Sequence, residues 1–379
     1  MSTAAPGRVV VVGNGIAGLT AADTLREAGF DGELTVVGDE RHPAYSRPAL
    51  SKALLLDDDL TSHELPPAGH GATELLGVRA TGLDLDHRLV SLDDGTALPY
   101  DRLVLATGSR ARRLSDLPGE LTLRGLDDAL ALRRRVAAGP SVVVVGGGPL
   151  GMEIASGCLA SGCAVTLVSQ GTPLRQQLGP YLAGVFVRAA LERGLRLVET
   201  AEARLEDGGG GPRVVLAEGG VLEAEVVLTA AGDIPNTEWL AGSGLTARGA
   251  VEVDARGLVR LDVAAVGDLA AFPTGRGPRR VPLWSSAIEQ AKVAARALLH
   301  GEAAPPLRFR PYFWTEQFGL SLKAVGALPV EGEPEYVAGQ PGGGPALMRW
   351  AHSDGTADVV ALDYRIPIPR LRRMTQAAA

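Results

Sequence analysis

Residues 8–29 read RVVVVGNGIAGLTAADTLREAG, and this stretch specifies the architecture around which the chain is built. The apolar β-branched run at residues 9–12 predicts a buried parallel strand, and helix-forming residues follow it after three glycines. Gly13 permits a tight turn, Gly15 lets a pyrophosphate approach the backbone, and Gly18 allows the helix to pack closely on the strand. The free amides and the dipole at the start of the helix favour a phosphate group. The stretch predicts a dinucleotide-binding unit, although a glycine-rich loop also occurs as a plain turn.

A second copy of the pattern occurs at residues 141–160, which read SVVVVGGGPLGMEIASGCLA. Gly146, Gly148 and Gly151 again separate a valine-rich strand from a predicted helix, and a further apolar strand follows at residues 164–168. Two such motifs in the same strand-to-helix setting indicate two nucleotide-binding units. The predicted fold class is α/β, with two Rossmann-like dinucleotide-binding domains.

Length and composition are those of an ordinary soluble globular protein. The chain has 379 residues, 46% of them hydrophobic and 21% charged, and this length allows two or three domains. No apolar run reaches the roughly 18 residues that cross a bilayer. The N-terminal apolar segment contains Asn14 and Asp23 and lacks a basic leader, so we interpret it as part of the fold. We expect a cytoplasmic protein without membrane contacts.

The formal net charge of −7 does not favour nucleic-acid binding, because a phosphate backbone requires a basic protein surface. The two cysteines are too few for a disulfide scaffold.

Two short segments carry candidate binding residues of the first unit. Asp39 and Glu40 follow the predicted second strand, where an acid binds ribose hydroxyls in dinucleotide folds, and a solvated turn carboxylate is an equally good interpretation. Residues 106–108, Ala-Thr-Gly, end another apolar strand, and such small residues leave room for a ligand at the carboxyl edge of a sheet.

Residues 45–52 read YSRPALSK and predict a loop that leads into a helix, which Ser46 or Ser51 can cap. Arg47 and Lys52 in this loop would suit an anionic or electron-rich ligand, while a plain surface loop is the alternative.

The end of the chain has a different character. Residues 303–306 resemble a linker, and residues 307–379 alternate short apolar stretches with glycines and prolines, which predicts a small C-terminal α+β domain.

Two dinucleotide sites in one chain suggest that electrons pass between two cofactors, a permanently bound flavin and a nicotinamide that exchanges. Here the sequence resembles the FAD-dependent pyridine nucleotide-disulfide oxidoreductases, and within them the ferredoxin reductase branch of the putidaredoxin and rubredoxin reductase type. The resemblance covers nearly the whole chain, and it rests on residues 13–18, 45–52, 106–108, 146–153, 267–268 and 314–317.

The resemblance implies a glutathione reductase-like architecture of three domains. Residues 1–112 and 237–306 would form the FAD-binding domain, residues 113–236 the NAD(P)-binding domain, and residues 307–379 a C-terminal domain of the interface type. No metal site is implied.

The resemblance also implies roles for individual residues. Lys52 and Glu153 are similar to the catalytic ion pair of the family, in which a fixed positive charge stabilises the anion that hydride transfer leaves on the flavin. The implied FAD contacts are Gly13, Gly15, Ala17, Gly18, Asp39, Arg47, Lys52, Ala106, Thr107, Gly108, Gly267, Asp268, Trp314 and Gln317. The implied NAD(P) contacts are Gly146, Gly148, Leu150, Gly151, Glu153, Ser169, Arg175 and Gly232.

Cys158 and Cys163 have the C-x4-C spacing of the redox pair in disulfide reductases of this fold. They follow the second glycine turn, whereas the redox pair of the family lies near the flavin in the first domain. On one helix, residues five positions apart would point about 140° apart. We therefore predict that these thiols carry no electrons, and that single electrons pass directly from the flavin to an iron–sulfur protein.

The sequence leaves the choice of nicotinamide open. Ser169 stands at the strand tip where an acid favours NADH and an arginine favours NADPH, while Arg175 could reach a 2′-phosphate. Pro149 replaces an apolar or aromatic residue that is common in the family, and a proline is tolerated in the first turn of a helix.

The predicted function is that of an NAD(P)H:ferredoxin reductase, which would be a monomer or homodimer that serves an oxygenase. One alternative is a quinone or small-molecule reductase, and another is a non-catalytic flavoprotein of the same fold. A basic surface could steer an acidic ferredoxin, although each arginine could equally be an ordinary solvated charge. The arginines concerned are Arg308, Arg310, Arg365, Arg370, Arg372 and Arg373.

Overall fold

The structure, a computed structural model, describes residues 6–52, 55, 61–274, 277–308, 310–342 and 344–376. The helix expected after Lys52 falls mostly outside the described residues. The helices within them are α1 (Ile16–Glu27), α2 (Leu126–Val136), α3 (Pro149–Ala160), α4 (Arg175–Leu178), α5 (Pro180–Glu192), α6 (Trp284–His300) and α7 (Ile368–Met374). Short 3-10 turns occur at Arg47–Ala49, Glu238–Leu240, Gly267–Leu269 and Gly301–Ala303.

The strands of the first half of the chain are β1 (Arg8–Val12), β2 (Glu33–Gly38), β3 (Thr73–Leu76), β4 (Ala80–Asp84), β5 (Leu89–Leu92), β6 (Ala97–Pro99), β7 (Arg102–Leu105), β8 (Ser109–Ala111), β9 (Glu120–Leu121), β10 (Ser141–Val145) and β11 (Ala164–Ser169). The next strands are β12 (Arg196–Glu199), β13 (Ala203–Asp207), β14 (Pro212–Leu216), β15 (Val221–Leu222), β16 (Val226–Thr229), β17 (Asp233–Pro235), β18 (Thr246–Ala247) and β19 (Ala250–Glu252). The last are β20 (Leu258–Arg260), β21 (Val263–Ala265), β22 (Ala270–Thr274), β23 (Gly277–Arg280), β24 (Tyr312–Gln317), β25 (Leu320–Val325), β26 (Glu335–Ala338), β27 (Ala346–Ala351) and β28 (Ala357–Leu362).

The chain divides into two compact units, each built from several segments. The first unit comprises Met1–Ser46, Glu64–Arg110 and Ile234–Phe309. The second comprises Arg47–His63, Ala111–Asp233 and Arg310–Ala379. The second unit therefore contains most of the predicted NAD(P)-binding and C-terminal domains together with the Lys52 loop. The division into three ligand-defined domains stays a prediction.

The first unit is built on a six-stranded sheet in the order β20-β21-β7-β1-β2-β3. Strand β1 pairs in parallel with β2 and with β7, so the first glycine turn emerges at the carboxyl edge of three adjacent strands. Val9 and Val11 face α1 and α6 on one side of the sheet, while Val10 and Val12 belong to the core on the other side. Both faces of β1 are buried, as its unbroken run of valines predicts.

The second unit repeats this arrangement in a five-stranded parallel sheet, in the order β12-β11-β10-β16-β9. It also contains the antiparallel sheet β24-β25-β28-β27-β26, whose core includes Leu371 of α7. These features confirm the predicted α/β fold with two Rossmann-like units and a small C-terminal α+β region. Among the described residues, no helix is both long and apolar enough to span a bilayer.

Candidate functional site

The first glycine turn is closed on two sides by backbone. A Cβ atom at Gly13, whose φ is +117°, would lie 2.1 Å from the carbonyl oxygen of Ala106. A Cβ atom at Gly18 would lie 1.8 Å from the carbonyl oxygen of Gly13. The Gly13 N–H donates to the carbonyl oxygen of Val37 at 2.7 Å, which ties the turn to the neighbouring strand. Glycine is therefore required at both positions by close approach of the chain.

The space beside the middle glycine of this turn, Gly15, is instead not filled by the described residues. Within the part of the chain that the structure describes, no atom lies within 4 Å of a Cβ atom placed on Gly15. Gly15 is the N-cap of α1, where no described side chain makes a capping hydrogen bond. Both polar side-chain atoms of the adjacent Asn14 are buried without a partner among the described residues. Exposed helix amides beside an open backbone fit the diphosphate of a dinucleotide.

Two further predicted residues of the first unit lie beside α1. The Gly267 N–H donates to Oε1 of the buried Gln290 at 2.8 Å, and a Cβ atom at Gly267 would lie 3.1 Å from that of Ala17. This packing holds Asp268 close to the start of α1, where Ser109 Oγ donates to Asp268 Oδ2 at 3.3 Å. A carboxylate there is a suitable acceptor for a ligand hydroxyl.

Two reciprocal hydrogen bonds with Asn236 hold the predicted strand end at residues 106–108. Thr107 Oγ1 donates to the carbonyl oxygen of Asn236 at 2.8 Å, and Asn236 Nδ2 donates to the carbonyl oxygen of Thr107 at 2.9 Å. Gly108 has φ +64° and accepts from the Asn236 N–H at 3.0 Å. The first unit therefore brings Ala106 to Gly108 next to the first glycine turn.

The two candidate ribose acids differ in their surroundings. Asp39 is exposed directly after β2. Glu40 is partly buried and accepts a hydrogen bond of 2.5 Å from the Tyr45 hydroxyl. Asp39 is thus the better placed of the two to contact a ligand, and this contact stays a prediction.

The second glycine turn reproduces the first almost bond for bond. A Cβ atom at Gly146 would lie 2.2 Å from the carbonyl oxygen of Ala230, and one at Gly151 would lie 1.9 Å from that of Gly146. The Gly146 N–H donates to the carbonyl oxygen of Val168 at 2.8 Å. Gly148 is the N-cap of α3, and a Cβ atom placed on it would have no described atom within 4 Å. A second diphosphate therefore fits here for the same reasons.

Two other predicted residues lie beside the second turn. Leu150 in the first turn of α3 is 36% exposed, so its side chain is accessible to a ligand. Gly232 has φ +99° and lies two residues beyond Ala230, the partner of the glycine turn. The structure thus brings both residues to the carboxyl edge of the parallel sheet in the second unit.

Ser169 and Arg175 occupy opposite environments beside the second turn. Ser169 is 5% exposed, and its Oγ lies 2.1 Å from the position of a Cβ atom on Gly147. The Leu174 N–H donates to the carbonyl oxygen of Gly147 at 2.8 Å, which places the exposed Arg175 next to the turn. The strand tip carries a hydroxyl group rather than a carboxylate, so the predicted ambiguity in nicotinamide choice persists.

The structure brings Lys52 and Glu153 together in the second unit. Lys52 Nζ lies 2.8 Å from Glu153 Oε2, with side chains 17% and 7% exposed. Ser51 Oγ donates to the same oxygen at 2.5 Å, and Thr315 Oγ1 donates to Glu153 Oε1 at 2.6 Å. A buried carboxylate is stable only with such partners, and here it has one ammonium and two hydroxyl donors.

Three other predicted contacts, Arg47, Trp314 and Gln317, belong to the same unit. Arg47 is held in its 3-10 turn by a hydrogen bond of 2.9 Å to the carbonyl oxygen of Arg124. Trp314 and Gln317 lie on opposite faces of β24, because side chains alternate along a strand. Trp314 stacks on Tyr312, with ring centroids 5.6 Å apart. The flavin contacts expected of Arg47, Trp314 and Gln317 stay predictions.

Two partners of Glu153, Ser51 and Thr315, are not predicted from the sequence. Ser51 is expected there only as a helix cap, but its hydroxyl donates to Glu153 instead. The period of two residues along β24 is the available signal, since it places Thr315 on the same face as Gln317.

The expected divergence of the two cysteines by about 140° does not apply, because Cys163 lies beyond the end of the helix that carries Cys158. Helix α3 ends at Ala160, and the chain reverses at Gly162, so the Cys163 backbone returns to Cys158. The Cys163 thiol donates to the carbonyl oxygen of Val136 at 3.6 Å. Burial raises the pKa of the Cys158 thiol to about 12, with smaller contributions from Cys163. Burial also raises the pKa of Cys163. Neither thiol has the lowered pKa of a reactive cysteine.

Comparison with known proteins agrees with this geometry. The family described as pyridine nucleotide-disulphide oxidoreductase matches residues 7–295. The biphenyl dioxygenase system ferredoxin–NAD(+) reductase component of Paraburkholderia xenovorans (strain LB400) is 36% identical over 337 residues, which are 86% of this chain and 82% of the relative. The benzene 1,2-dioxygenase system ferredoxin–NAD(+) reductase subunit of Pseudomonas putida is 33% identical over 386 residues, 97% of this chain and 92% of the relative.

A solved structure shows the same similarity in three dimensions. The covalent putidaredoxin reductase–putidaredoxin complex aligns with a TM-score of 0.86 and 28% sequence identity. The alignment covers 98% of this chain and 93% of the matched chain.

Proposed function

The chain belongs to the pyridine nucleotide-disulphide oxidoreductase family, and on that basis we propose that it is a ferredoxin–NAD(+) reductase of an oxygenase system. It is an oxidoreductase that takes electrons from NADH through FAD and delivers them singly to an iron–sulfur ferredoxin. Relatives with this name cover most of the chain, and the covalent putidaredoxin reductase complex is a structural neighbour that holds its protein acceptor.

The observation that carries the proposal is the pair of matching glycine turns. In each of them the outer glycines are closed by backbone, and the middle glycine, Gly15 or Gly148, is open at the N-terminus of a helix. Each of the two turns therefore fits one diphosphate. A protein that binds one flavin dinucleotide and one nicotinamide dinucleotide requires two such sites.

Each unit would hold its own dinucleotide. In the first unit, the amides around Gly15 would hold the FAD diphosphate. The carboxylates of Asp39 and Asp268 would accept hydrogen bonds from its hydroxyl groups, and the Thr107 hydroxyl would accept from them or donate to them. In the second unit, the amides around Gly148 would hold the NADH diphosphate. The bound FAD supplies the chemistry, since it accepts a hydride and releases its electrons one at a time.

Lys52 and Glu153 form the proposed charged pair of the reaction. Glu153 fixes the Lys52 ammonium at 2.8 Å, and a fixed positive charge in a water-poor site stabilises negative charge that develops beside it. Because the charge is already in place, little reorganisation is needed when hydride arrives.

The chemistry of the two thiols supports the direct delivery of single electrons. Cys158 and Cys163 are 1% and 5% exposed, and their thiols are protonated at neutral pH because burial raises the pKa of both. A disulfide relay requires a thiolate that can attack, so these two residues do not provide one.

Rapid mixing under anaerobic conditions tests the proposal. We expect purified protein to be yellow, NADH to bleach the flavin absorbance, and an oxidised [2Fe-2S] ferredoxin to restore it. Faster reoxidation by quinones than by any ferredoxin, unaffected by salt, would instead identify a small-molecule reductase. A flavin that NADH leaves oxidised would identify a non-catalytic flavoprotein, and colourless protein would overturn the assignment altogether.

NADPH is included as a second donor because Ser169 places no carboxylate at the strand tip and Arg175 is exposed beside it. A cytoplasmic location is also proposed, which fractionation of cells that express the protein would test.

A further inference from the structure

Glu153 lies at the centre of a buried chain of hydrogen bonds that has one direction. An ionised carboxylate can only accept hydrogen bonds, so the hydroxyl proton of Thr315 is committed to Glu153 Oε1. The Thr315 oxygen is then left to accept, and it accepts from Gln317 Nε2 at 3.0 Å. On the other side, Ser51 Oγ and Lys52 Nζ both donate to Glu153 Oε2. Three donors thus bond the Glu153 carboxylate directly, and Gln317 is linked to it through Thr315.

The side chains of Thr315, Gln317, Ser51 and Glu153 are buried, which makes each of their hydrogen bonds important. Thr315 is 0% exposed, Gln317 3%, Ser51 6% and Glu153 7%. Water cannot replace a donor that is removed from such a site, so the carboxylate oxygen would lose its partner and the side chain would move to find another. Lys52 would move with it, because its ammonium lies 2.8 Å from the same carboxylate, whereas its other hydrogen bond, to the carbonyl oxygen of Pro48, is 3.4 Å long.

The segments that contribute these donors also pack along one face of helix α3. Glu153, Ser156 and Gly157 occupy neighbouring positions on that face, at the helical spacing of three and four residues. The Phe318 N–H, just after β24, donates to Ser156 Oγ at 2.7 Å. A Cβ atom at Gly157 would lie 3.4 Å from Leu55 Cδ1, from the segment that follows Lys52. Two segments that are distant in the sequence, residues 51–52 with residue 55 and residues 315–318, therefore meet on this helix.

We propose that Thr315 and Ser51 are positioning residues for the Lys52 charge, which they fix through the two oxygens of Glu153. The inference rests on the proposed function for Lys52. Thr315 holds Oε1 and Ser51 shares Oε2 with Lys52, so the carboxylate cannot rotate about its terminal bond. The same chain fixes the amide of Gln317, since Nε2 must face Thr315.

The fixed direction of these hydrogen bonds also decides the environment of Gln317 Oε1. It is buried, and no described residue donates to it. If Glu153 were replaced by a group that donates to Thr315, the threonine could donate to Gln317 and the amide would turn over. Glu153→Gln is the variant that permits this reversal.

The test compares Thr315→Val with Thr315→Ser in the purified holoprotein. Valine keeps the shape of threonine and removes the hydroxyl group, while serine keeps the hydroxyl group. We expect Thr315→Val to lower the limiting rate of flavin reduction by NADH about tenfold, with the Kd for NADH within about twofold, since a lost hydrogen bond to a charged group costs this much or more. Thr315→Ser should retain at least about half of the wild-type rate. Ser51→Ala should change in the same direction as Thr315→Val.

A second readout needs no NADH turnover. The two-electron midpoint potential of the bound flavin, measured by spectroelectrochemistry, should fall by about 30 mV in Thr315→Val, which corresponds to about a tenfold change in the reduction equilibrium. The matched control is Thr356→Val, because Thr356 Oγ1 also donates to a carboxylate, Asp354 Oδ1 at 2.6 Å, in an exposed turn of the same unit. The control should leave both rate and potential unchanged.

The outcomes separate this inference from the proposed function. If wild-type protein binds flavin and NADH reduces it, but Thr315→Val has the rate and potential of Thr356→Val, the positioning role is overturned alone. The same holds if Thr315→Ser is as impaired as Thr315→Val, because the shape of the side chain would then matter rather than its hydroxyl group. Wild-type protein without flavin, or with a flavin that NADH cannot reduce, overturns the proposed function and this inference with it.

Discussion

The backbone N–H of Cys163 donates a 3.0 Å hydrogen bond to the carbonyl oxygen of Cys158. The Gly162 N–H donates to Leu159 in the same turn, also at 3.0 Å, and Gly162 has φ +83°. These two bonds define a Schellman motif at the end of α3, in which the third residue from the helix end contacts the residue after the glycine. The C-x4-C spacing is therefore the spacing of a helix end, and the backbones of the two cysteines meet because the chain turns back.

The first prediction concerns these thiols. Burial raises the pKa of Cys158 to about 12, so only about one thiol in ten thousand is ionised at pH 8, and the reactive fraction rises only as the pH approaches 12. We expect native protein to react with a disulfide reagent at pH 8 at least about a hundredfold more slowly than urea-unfolded protein. Cys158→Ala should retain NADH-dependent flavin reduction. Loss of activity on alkylation of native protein would contradict the prediction.

The second prediction distinguishes the glycines of the two turns. Gly15→Ala should weaken FAD binding about tenfold, while Gly148→Ala should weaken NAD+ binding about tenfold and leave the FAD content unchanged, because each methyl group would occupy space that a diphosphate needs. Fluorescence of released FAD and titration with NAD+ measure these effects.

The matched glycine variants report on stability. Gly18→Ala should destabilise the protein by about 2 kcal/mol or more, since its Cβ atom would lie 1.8 Å from a backbone oxygen. Gly184→Ala, in the middle of α5 with no described atom within 4 Å of the new methyl group, should stabilise it by about 0.5–1 kcal/mol. Equal effects of Gly15→Ala and Gly184→Ala on FAD binding would refute the assignment of the first turn.

The third prediction concerns the charge of Lys52. Lys52→Met should slow flavin reduction by NADH about a hundredfold, because one preorganised charge or donor contributes on this scale. The chain contains only three lysines, and the exposed Lys292 on α6 provides the control, Lys292→Met, for which no change is expected. Stopped-flow absorbance with matched FAD content measures both rates. A Lys52→Met variant reduced at the wild-type rate would remove Lys52 from the mechanism.

The fourth prediction concerns the nicotinamide preference. Ser169→Asp places a carboxylate at the strand tip, where it would repel a 2′-phosphate. We expect the variant to bind 2′,5′-ADP about tenfold more weakly and 5′-AMP within about threefold of wild type, as measured by calorimetry. Arg175→Ala should act in the same direction by removing a positive charge. Equal weakening of both nucleotides would mean that Ser169 does not lie near the ribose.

The fifth prediction concerns the ferredoxin surface. Arg370 and Arg373 are exposed on α7, whose Leu371 is buried, so their charges are available to a partner. Reversal of both to glutamate should lower the association rate with an acidic ferredoxin at least about tenfold and flatten its salt dependence. The double variant Arg134→Glu with Arg188→Glu changes the net charge equally at exposed positions elsewhere in the same unit. If both double variants slow association equally, net charge rather than this surface steers the ferredoxin.

The glycine turns could be predicted because their requirements are local. Strand, turn and helix lie within about twenty residues, and φ values of +117° at Gly13 and +130° at Gly146 are open only to glycine. The expected divergence of the two cysteine side chains does not apply for a local reason as well, since it assumes a continuous helix and α3 instead ends at Ala160, before the turn at Gly162.

Local sequence therefore specifies the two dinucleotide-binding units, because hydrophobic period and glycine placement act between neighbours in the chain. Which groups meet at Glu153 depends on long-range packing alone, since Ser51 and Thr315 come from positions 102 and 162 residues away. A hydroxyl group in a loop or strand has no local pattern that identifies a distant carboxylate. Its partner is decided only in the folded chain. Burial removes water from the carboxylate, and the donors that packing places within hydrogen-bonding distance then replace that water.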